Sequence, residues 1–406
     1  MVPRFPSIVY EKARKGLSKR SPYGPDIDLD KYLEKLVEED KRVGQPADIS
    51  ERLGPELASK SSYMQVDGLV MLRSLEVLRE KHGVLVTDSG TALEKIEWAK
   101  RYFWSLIDPG QDKYTAVTAL YWRGGGYFIY VPPGVKLQTP IYACLVISRQ
   151  GYPQIVHNII VVDEGAEAHI ITGCMTSRGV TRALHIGVTE IYLARSSKLT
   201  FTMIHSWGPG VHARPRTAIR LGEDSSLVYY YITSSSVESL QSYPKALLMD
   251  GSSLISVSII VSPDKSYYDT GFEARLSGRG SSAQLISRIV GLGSSINYSR
   301  LRIIAEAPQT KGYSECSGLQ LSEASRIHAI PELVSTTNDA DLGHEASIGR
   351  ISEEELVYLM SRGLSEEEAL RLVVQGFVHV DVPGLPNHIK KIIDYTTRLL
   401  AEKTIV

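Results

Sequence analysis

Serine pairs recur at a nearly fixed interval through the middle of this chain. They stand at Ser196-Ser197, Ser225-Ser226, Ser252-Ser253 and Ser281-Ser282, and a half-step leads on to Ser294-Ser295. Around them, from Tyr127 to about Ala346, the sequence runs in short β-branched and aromatic stretches such as Tyr127 to Val131, Ile155 to Val162 and Leu227 to Ile232, with small polar turns between. A sandwich, a propeller or a solenoid can be built from such stretches, and a fixed turn period selects the solenoid. A period of about 28 residues holds more than one strand of ordinary length. The expected core is therefore a β-helix whose rungs stack their strands about 4.8 Å apart.

On either side of this stretch the apolar residues fall at helical spacing. Leu29, Leu33, Leu36 and Val37 mark one helix within Asp28 to Gly44, a second is expected from Asp67 to His82, and Leu93, Ile96, Ala99, Tyr102 and Phe103 mark a third from Thr91 to Leu106. Asp108-Pro109-Gly110 stops it. After the strands, Ser352-x-x-Glu355 forms a capping box ahead of the stripe Leu356, Leu359 and Met360, and Gly363 suits a left-handed C-terminal cap. Ser365 and the acids Glu366 to Glu368 open another helix carrying Ala369, Leu372, Val373 and Phe377, and a last helix is expected from about Asn387 to Ala401. The expected division is a mainly helical region over 1–110, a β-helix core over 111–348 and a C-terminal helical region over 349–406.

Charge and motif content close off several functions. The 45 Lys and Arg offset 46 Asp and Glu, for a net charge of -1, and there is no basic block to displace counterions from a nucleic acid. No window reaches the roughly 18 apolar residues of a membrane span, and Met1 to Arg20 is basic without the apolar core of a signal peptide. A cytoplasmic protein that binds neither nucleic acid nor membrane is expected. There is no Cys-x-x-Cys, no His-Glu-x-x-His, no phosphate loop ending in Gly-Lys-Ser and no Gly-x-Ser-x-Gly elbow, and Gly124-Gly125-Gly126 precedes a strand rather than a helix.

The cysteines Cys144, Cys174 and Cys316 are too few and too scattered for a disulfide framework, so any thiol chemistry rests on single residues. The serine period turns their separations into distances. Cys316 and Glu345 are one period apart, so they are expected to stack on neighbouring rungs if both face the same way. Cys174 precedes Cys316 by five such periods and Cys144 precedes Cys174 by about one, so a single column can hold all three. A phase error of one residue would turn any of them to the other face. Cys144 sits in an apolar run and reads as core, whereas the polar neighbours Ser314, Glu315, Ser317 and Gly318 make an exposed, reactive thiol the expectation for Cys316. His344 and Glu345 are adjacent, so on a regular strand they point to opposite faces and cannot both bind one metal.

The run Trp122-Arg123-Gly124-Gly125-Gly126-Tyr127-Phe128-Ile129-Tyr130-Val131-Pro132-Pro133-Gly134-Val135 resembles the strand-opening motif of the SufB/SufD family, scaffold components of SUF iron-sulfur cluster assembly. Asp163-Glu164-Gly165-Ala166 and Gly173-Cys174 match in order, as do Gly343-His344-Glu345-Ala346-Ser347, Ile351 to Leu356 and Ser361 to Ala369. The resemblance spans roughly residues 90 to 380. It implies a right-handed parallel β-helix core flanked by helical regions. It also implies a dimer with a second SufB/SufD-type chain, identical or not, and a C-terminal segment that docks the ATPase SufC, with Leu356, Leu359, Met360, Leu372 and Phe377 as the apolar candidates. By the same resemblance a transient iron-sulfur cluster, 4Fe-4S favoured, is built with Cys316 and Glu345 as metal ligands beside His344. Cys174 takes persulfide sulfur from a cysteine desulfurase system, and reduced flavin is a further cofactor that the resemblance allows. The chain itself is then a scaffold, not an enzyme.

Subunit type is divided between positions. SufB usually has Arg and Asn where Val146 and Ser148 stand, and Ser347-Ile348-Gly349 leans toward SufD, while Glu345 and Cys316 lean toward SufB. The SufB-like reading is preferred over a SufD-like structural partner. A β-helix carbohydrate enzyme is the remote alternative, disfavoured because Asp163-Glu164 and Glu223-Asp224 fall at turns rather than on a strand column.

Overall fold

The computed structural model describes residues 5–36, 62–73 and 82–382. The chain winds into a mainly β solenoid of about eight turns with helices at both ends. Each turn lays one strand on a ten-stranded sheet and one or two on a facing eleven-stranded sheet. Along the ten-stranded sheet the successive strands Lys198–Ser206, Ser226–Thr233, Ser253–Ser262, Ser282–Gly291 and Thr310–Gln320 all pair in parallel. Their Cα partners run Lys198, Ser226, Ser253, Ser282 and Lys311, so the second members of three serine pairs stand in register with one another. The serine interval is the rung.

The serines recur because one turn geometry recurs. Ser197, Ser225, Ser252 and Ser281 each donate the hydroxyl to the carbonyl three residues back, at 2.8, 2.8, 2.6 and 2.7 Å. The backbone N–H of each reaches the same carbonyl. The residue just before each serine is left-handed: Ser196, Asp224, Gly251 and Gly280, with φ of 55, 54, 65 and 69°. A small side chain that satisfies its own turn can be buried at the corner without an orphaned polar group. The half-step to Ser294-Ser295 reaches the opposite corner, where Ser295 N bonds Leu292 O at 3.1 Å.

Inside the coil the rungs stack aliphatic on aliphatic, as with the fully buried Ile129, Ile160 and Ile191. The outer face of the eleven-stranded sheet is covered by the N-terminal segment, including the helices Ser7–Gly16 and Lys113–Tyr121. Glu190 fixes that cover: its carboxyl group accepts from Trp104 N at 2.7 Å and Leu106 N at 2.6 Å and meets His157 Nε2 at 2.8 Å, with both side chains fully buried. The outer face of the ten-stranded sheet carries Tyr230, Ile232, Val257, Ile259 and Val290, covered from the C-terminal side by Val374, Val378 and Val382.

The flanking helices depart from expectation. Asp67 to His82 does not begin as a helix: Tyr63–Val66 and Leu69–Arg73 form an antiparallel hairpin about Asp67 and Gly68, whose φ values are 47 and 90°. Asp-Gly is a two-residue hairpin turn, and Tyr63–Val66 is recruited as a parallel strand beside Ile141–Ile147. Residues 74–81 lie outside the described residues. Within Asp28 to Gly44 the structure shows only the short turns Asp30–Leu33 and Glu34–Leu36 before the described residues end. Thr91 to Leu106 is split into the helix Ser89–Lys95, capped by Asp88, and the 3-10 segment Glu97–Tyr102, with extended Ile96 between. The helix expected over Asn387 to Ala401 lies outside the described residues. Among those described, no helix is long and apolar enough to cross a membrane.

Candidate functional site

The solenoid ends at the strands Arg326–Ser335 and Ala340–Gly349, and Cys316 lies one rung beneath that end on Thr310–Gln320. The strand alternates strictly, with Gly312, Ser314, Cys316 and Gly318 inward and Tyr313, Glu315 and Ser317 outward. Cys316 is therefore 2% exposed, not the surface thiol that its polar neighbours imply. Its acidic and hydroxylic neighbours in sequence occupy the other face. Its Sγ lies 3.5 Å from Ser299 Oγ, which projects from the facing strand Ile296–Ala305. Burial raises the Cys316 thiol above its ordinary pKa, the Ser299 hydrogen bond works against that, and Glu315 adds to it.

Register decides which neighbours Cys316 has. The last rung is one residue longer than the step from Cys316 to Glu345, so Cys316 pairs with Ala346, Glu315 with Glu345 and Ser314 with His344. Glu345 therefore does not stack on Cys316. It stands outward, accepting from Tyr313 OH at 3.0 Å, while Glu315 is bonded to Arg288, which also donates to Ser317 Oγ at 2.7 Å. His344, paired with inward Ser314, takes the inward side of the terminal strand, diagonal to Cys316. Among the described residues no three His, Cys, Asp or Glu side chains are grouped to hold a metal ion.

The other two thiols part company. Cys144 pairs with Gly173 rather than Cys174, and that slip turns it to the outer face among Val66, Tyr142, Val146 and Met175. Burial pushes it up to about 12. Cys174 faces the interior, 1% exposed, with its Sγ 3.9 Å from Met203 Sδ and a pKa held well above normal by burial. Its ladder neighbour is His205, whose Nδ1 meets Tyr231 OH at 2.8 Å. Five ladder steps separate the strands of Cys174 and Cys316, about 24 Å at the usual strand spacing.

Between them the interior is hydroxylated. From Cys316 the ladder descends through Ser287, Ser258 and Tyr231 to Met203, which touches Cys174. On the facing sheet Ser299 is followed by Thr270 and Ser242. A small cavity of about 10 Å³, room for a single water, lies among Tyr231, Ser242, Ser256, Ser258 and Thr270. Ser258, Ser287 and Cys316 are evenly spaced in the sequence, so the period already contained this row, although its inward phase did not announce itself.

The two C-terminal helices, Glu353–Ser361 and Glu366–Val378, begin at Ser352 and Ser365, whose hydroxyls accept from Glu355 N at 3.1 Å and Glu368 N at 3.2 Å. Met360 and Leu372 are 42 and 51% exposed, Leu356 and Leu359 are half-buried, and Phe377 is half-buried under the Arg288 guanidinium. Val357 and Tyr358, which the stripe did not include, are exposed beside them. A groove runs along Leu319, Ile351, Leu359, Leu372 and Phe377.

Comparison with known proteins matches residues 145–377 to the family model "SUF system FeS cluster assembly, SufBD core domain". The "Iron-sulfur cluster assembly SufBD family protein" of Methanothermobacter thermautotrophicus strain Delta H is 40% identical over 392 residues, covering 93% of this chain and 94% of that one. Its namesake from Archaeoglobus fulgidus is 41% identical over 324 residues, covering 80% of this chain and 86% of its own. A SufBD family protein of Staphylococcus aureus strain MRSA252 is 29% identical over 366 residues, covering 89% and 78%. With a parallel β-solenoid, an inward thiol one rung from its open end and a family match over more than half its length, the chain belongs to the SufBD family of iron-sulfur cluster assembly proteins.

Proposed function

We propose that this chain is a SufB-like scaffold on which nascent iron-sulfur clusters are built at the open end of the solenoid. The observation that carries this reading is the position of Cys316, one rung beneath a terminal pair of ten-residue strands on which no further rung stacks among the described residues. Long edge strands with unpaired N–H and C=O groups are templates for another chain. A second SufB/SufD-type chain is the proposed cover, and it brings a second terminal strand to the same place. Because Cys316 faces inward and Glu345 outward, the two act on one cluster across that junction rather than side by side in one rung.

The buried Cys316 thiol gives up its proton when iron binds, since the metal charge replaces the solvation that burial removed. Cys316 and Glu345, with His344, are the proposed cluster residues, the cluster being cargo of the 4Fe-4S type. Cys174 is the proposed sulfur acceptor, charged by a cysteine desulfurase system and joined to Cys316 by the hydroxylated interior. SufC docks on the exposed side of the C-terminal helices through Leu356, Leu359, Met360 and Leu372, with Phe377 anchoring the helix from below. Reduced flavin is the proposed electron source, and the setting is cytoplasmic.

The test is anaerobic reconstitution with ferrous iron and sulfide. Cys316→Ser is expected to abolish the visible cluster absorbance with the unfolding midpoint unchanged. Cys174→Ser retains it with free sulfide and loses it when sulfur comes from a desulfurase. Undiminished iron and sulfide in Cys316→Ser would instead support the SufD-like reading, favoured by Val146, Ser148 and Ser347-Ile348-Gly349.

A further inference from the structure

The last rung closes the solenoid interior unevenly. Ser299 meets Cys316 across the interior, and the ladders carry Ser299 onto Ala329 and Cys316 onto Ala346, so the two alanines face each other in the terminal layer. Two residues along, the layer is shut: Ile327 and Ile348 both come within 3.3 Å of the place where a Gly318 Cβ would stand. On the other side, Leu333 and Leu342 pack against the core. Directly above Cys316 and Ser299 stand the methyl groups of Ala346 and Ala329, and His344, above Ser314, borders them. One strand spacing below, about 4.8 Å, three polar atoms lie in the layer beneath Ala329, Ala346 and His344. They are Cys316 Sγ, Ser299 Oγ and Ser314 Oγ, and the Ser314 hydroxyl is fully buried with no hydrogen-bond partner. Buried hydroxyls are almost always satisfied, and an orphan beside a thiol marks space meant for something else.

We propose that Ala329 and Ala346 frame an access port to a shallow well floored by Cys316, Ser299 and Ser314, and that the well admits a single ferrous ion rather than a preformed cluster. This rests on the reading of Cys316 as the cluster thiol, and it adds that the first iron arrives alone, from the open end, through a gap one methyl pair wide. The alanines are specificity-determining by size: a larger side chain at either position puts carbon where the ion must pass. A thiol and two hydroxyls offer one soft and two hard donors, a set that an iron(II) ion accepts.

Access is measured without any cluster. The full chain is labelled natively with iodoacetamide or with a fluorescein maleimide, modification at Cys316 is quantified by peptide mass, and rates are divided by those of the same chain unfolded in urea. In the unsubstituted protein iodoacetamide is expected to label Cys316 at least tenfold faster than the bulky reagent on this scale, while Cys144 and Cys174, 0 and 1% exposed, stay unlabelled. Ala346→Leu and Ala329→Leu slow iodoacetamide at least tenfold. Ser347→Leu, its neighbour on the outward face, leaves the rate unchanged. Ala346→Val stands in if either leucine variant shifts the urea midpoint. Equal rates in Ala346→Leu and Ser347→Leu, equal rates for the two reagents, or a native Cys316 that does not react at all would each overturn the port. If the port holds while Cys316→Ser still assembles clusters, it is the cluster-ligand reading that fails.

Discussion

The two ends of the solenoid are built to different rules. Around the rungs that hold Tyr127, Ile160 and Phe201, the interior is fully buried, and the outer wall of the eleven-stranded sheet is plated with helices and aromatic rings. At the far end Leu333, Ala340 and Leu342 are only half-buried, and Ala340–Gly349 is exposed along most of its length. A rung buries its inward face only against its neighbours, so the last rung has half of what the others have. Buried apolar contact is concentrated at one end and exposed strand surface at the other. Thiols show the same split: Cys174 is sealed in the closed half, and Cys316 lies one layer under the open end.

Truncating one inward side chain in each half gives the largest expected contrast. Phe201→Ala removes a fully buried ring that packs on Tyr229 at 5.4 Å between centroids and is expected to cost about 3–5 kcal/mol. Leu342→Ala, in the terminal layer, is expected to cost about 1 kcal/mol, because its neighbours are solvated on one side. Urea unfolding measures both. Similar losses would mean that the open end is as tightly held as the closed one.

Acid should erode the closed half specifically. His185, 2% exposed and bonded through Nδ1 to Gln154 Oε1, is held down to about 3 by burial, and His205 is lowered by burial and then by His185. Both stay neutral in the folded chain and take up protons when it unfolds. Stability is therefore whole above pH 6.5 and declines as pH falls from there toward 3, by about 1.4 kcal/mol per pH unit for each group, or about 2 kcal/mol for His185 by pH 5. His185→Gln should flatten the slope of unfolding free energy against pH by about one proton between pH 6.5 and 5. An unchanged slope would show that the interior admits the charge.

The exposed side of the C-terminal helices is expected to contribute to binding and almost nothing to stability. Val357→Asp and Met360→Asp lie at positions 63 and 42% exposed and should move the unfolding free energy by less than about 0.5 kcal/mol while abolishing SufC retention in a pull-down. Point changes are the proper test. Val374, Val378 and Val382 seal the ten-stranded sheet, so removing the segment would uncover Val257, Ile259 and Val290 and confuse lost docking with lost burial.

How much of this was legible in the sequence depended on rung length. Serine pairs report the turns, because Ser197, Ser225, Ser252 and Ser281 perform one hydrogen-bonding task at one corner, and the β-helix followed from their interval. Faces did not follow, because rungs vary: the steps from Glu167 to its partner Lys198 and from Thr310 to Ala340 are both longer than that from Lys198 to Ser226. A rung one residue longer than the step from Cys316 to Glu345 sends Glu345 outward, and a rung one residue shorter than the step from Cys144 to Cys174 separates those two thiols. Alternation around Cys316 was visible as polar neighbours, yet polarity at positions 315 and 317 says nothing about position 316 on a strand. The hairpin at Asp67-Gly68 was missed because helical spacing outweighed a two-residue turn signal.

The smallest expected effect tests whether the open end is arranged for chemistry or merely unfinished. Tyr313 is 38% exposed, and its one hydrogen bond in that region goes to Glu345, whose carboxylate raises the Tyr313 pKa. Tyr313→Phe removes a donor from a carboxylate that water can solvate, so unfolding free energy should change by less than about 0.5 kcal/mol. Orientation is another matter. If Glu345 reaches iron across the junction with a second chain, its rotamer must be set beforehand, and loss of the residue that holds a ligand typically weakens metal binding about tenfold or more. Iron retention by the reconstituted assembly should fall by that factor in Tyr313→Phe, and restoring a donor with Tyr313→His should recover part of it. A stability loss above about 1 kcal/mol would put Tyr313 among the packing residues and erase the contrast between the two ends at this position.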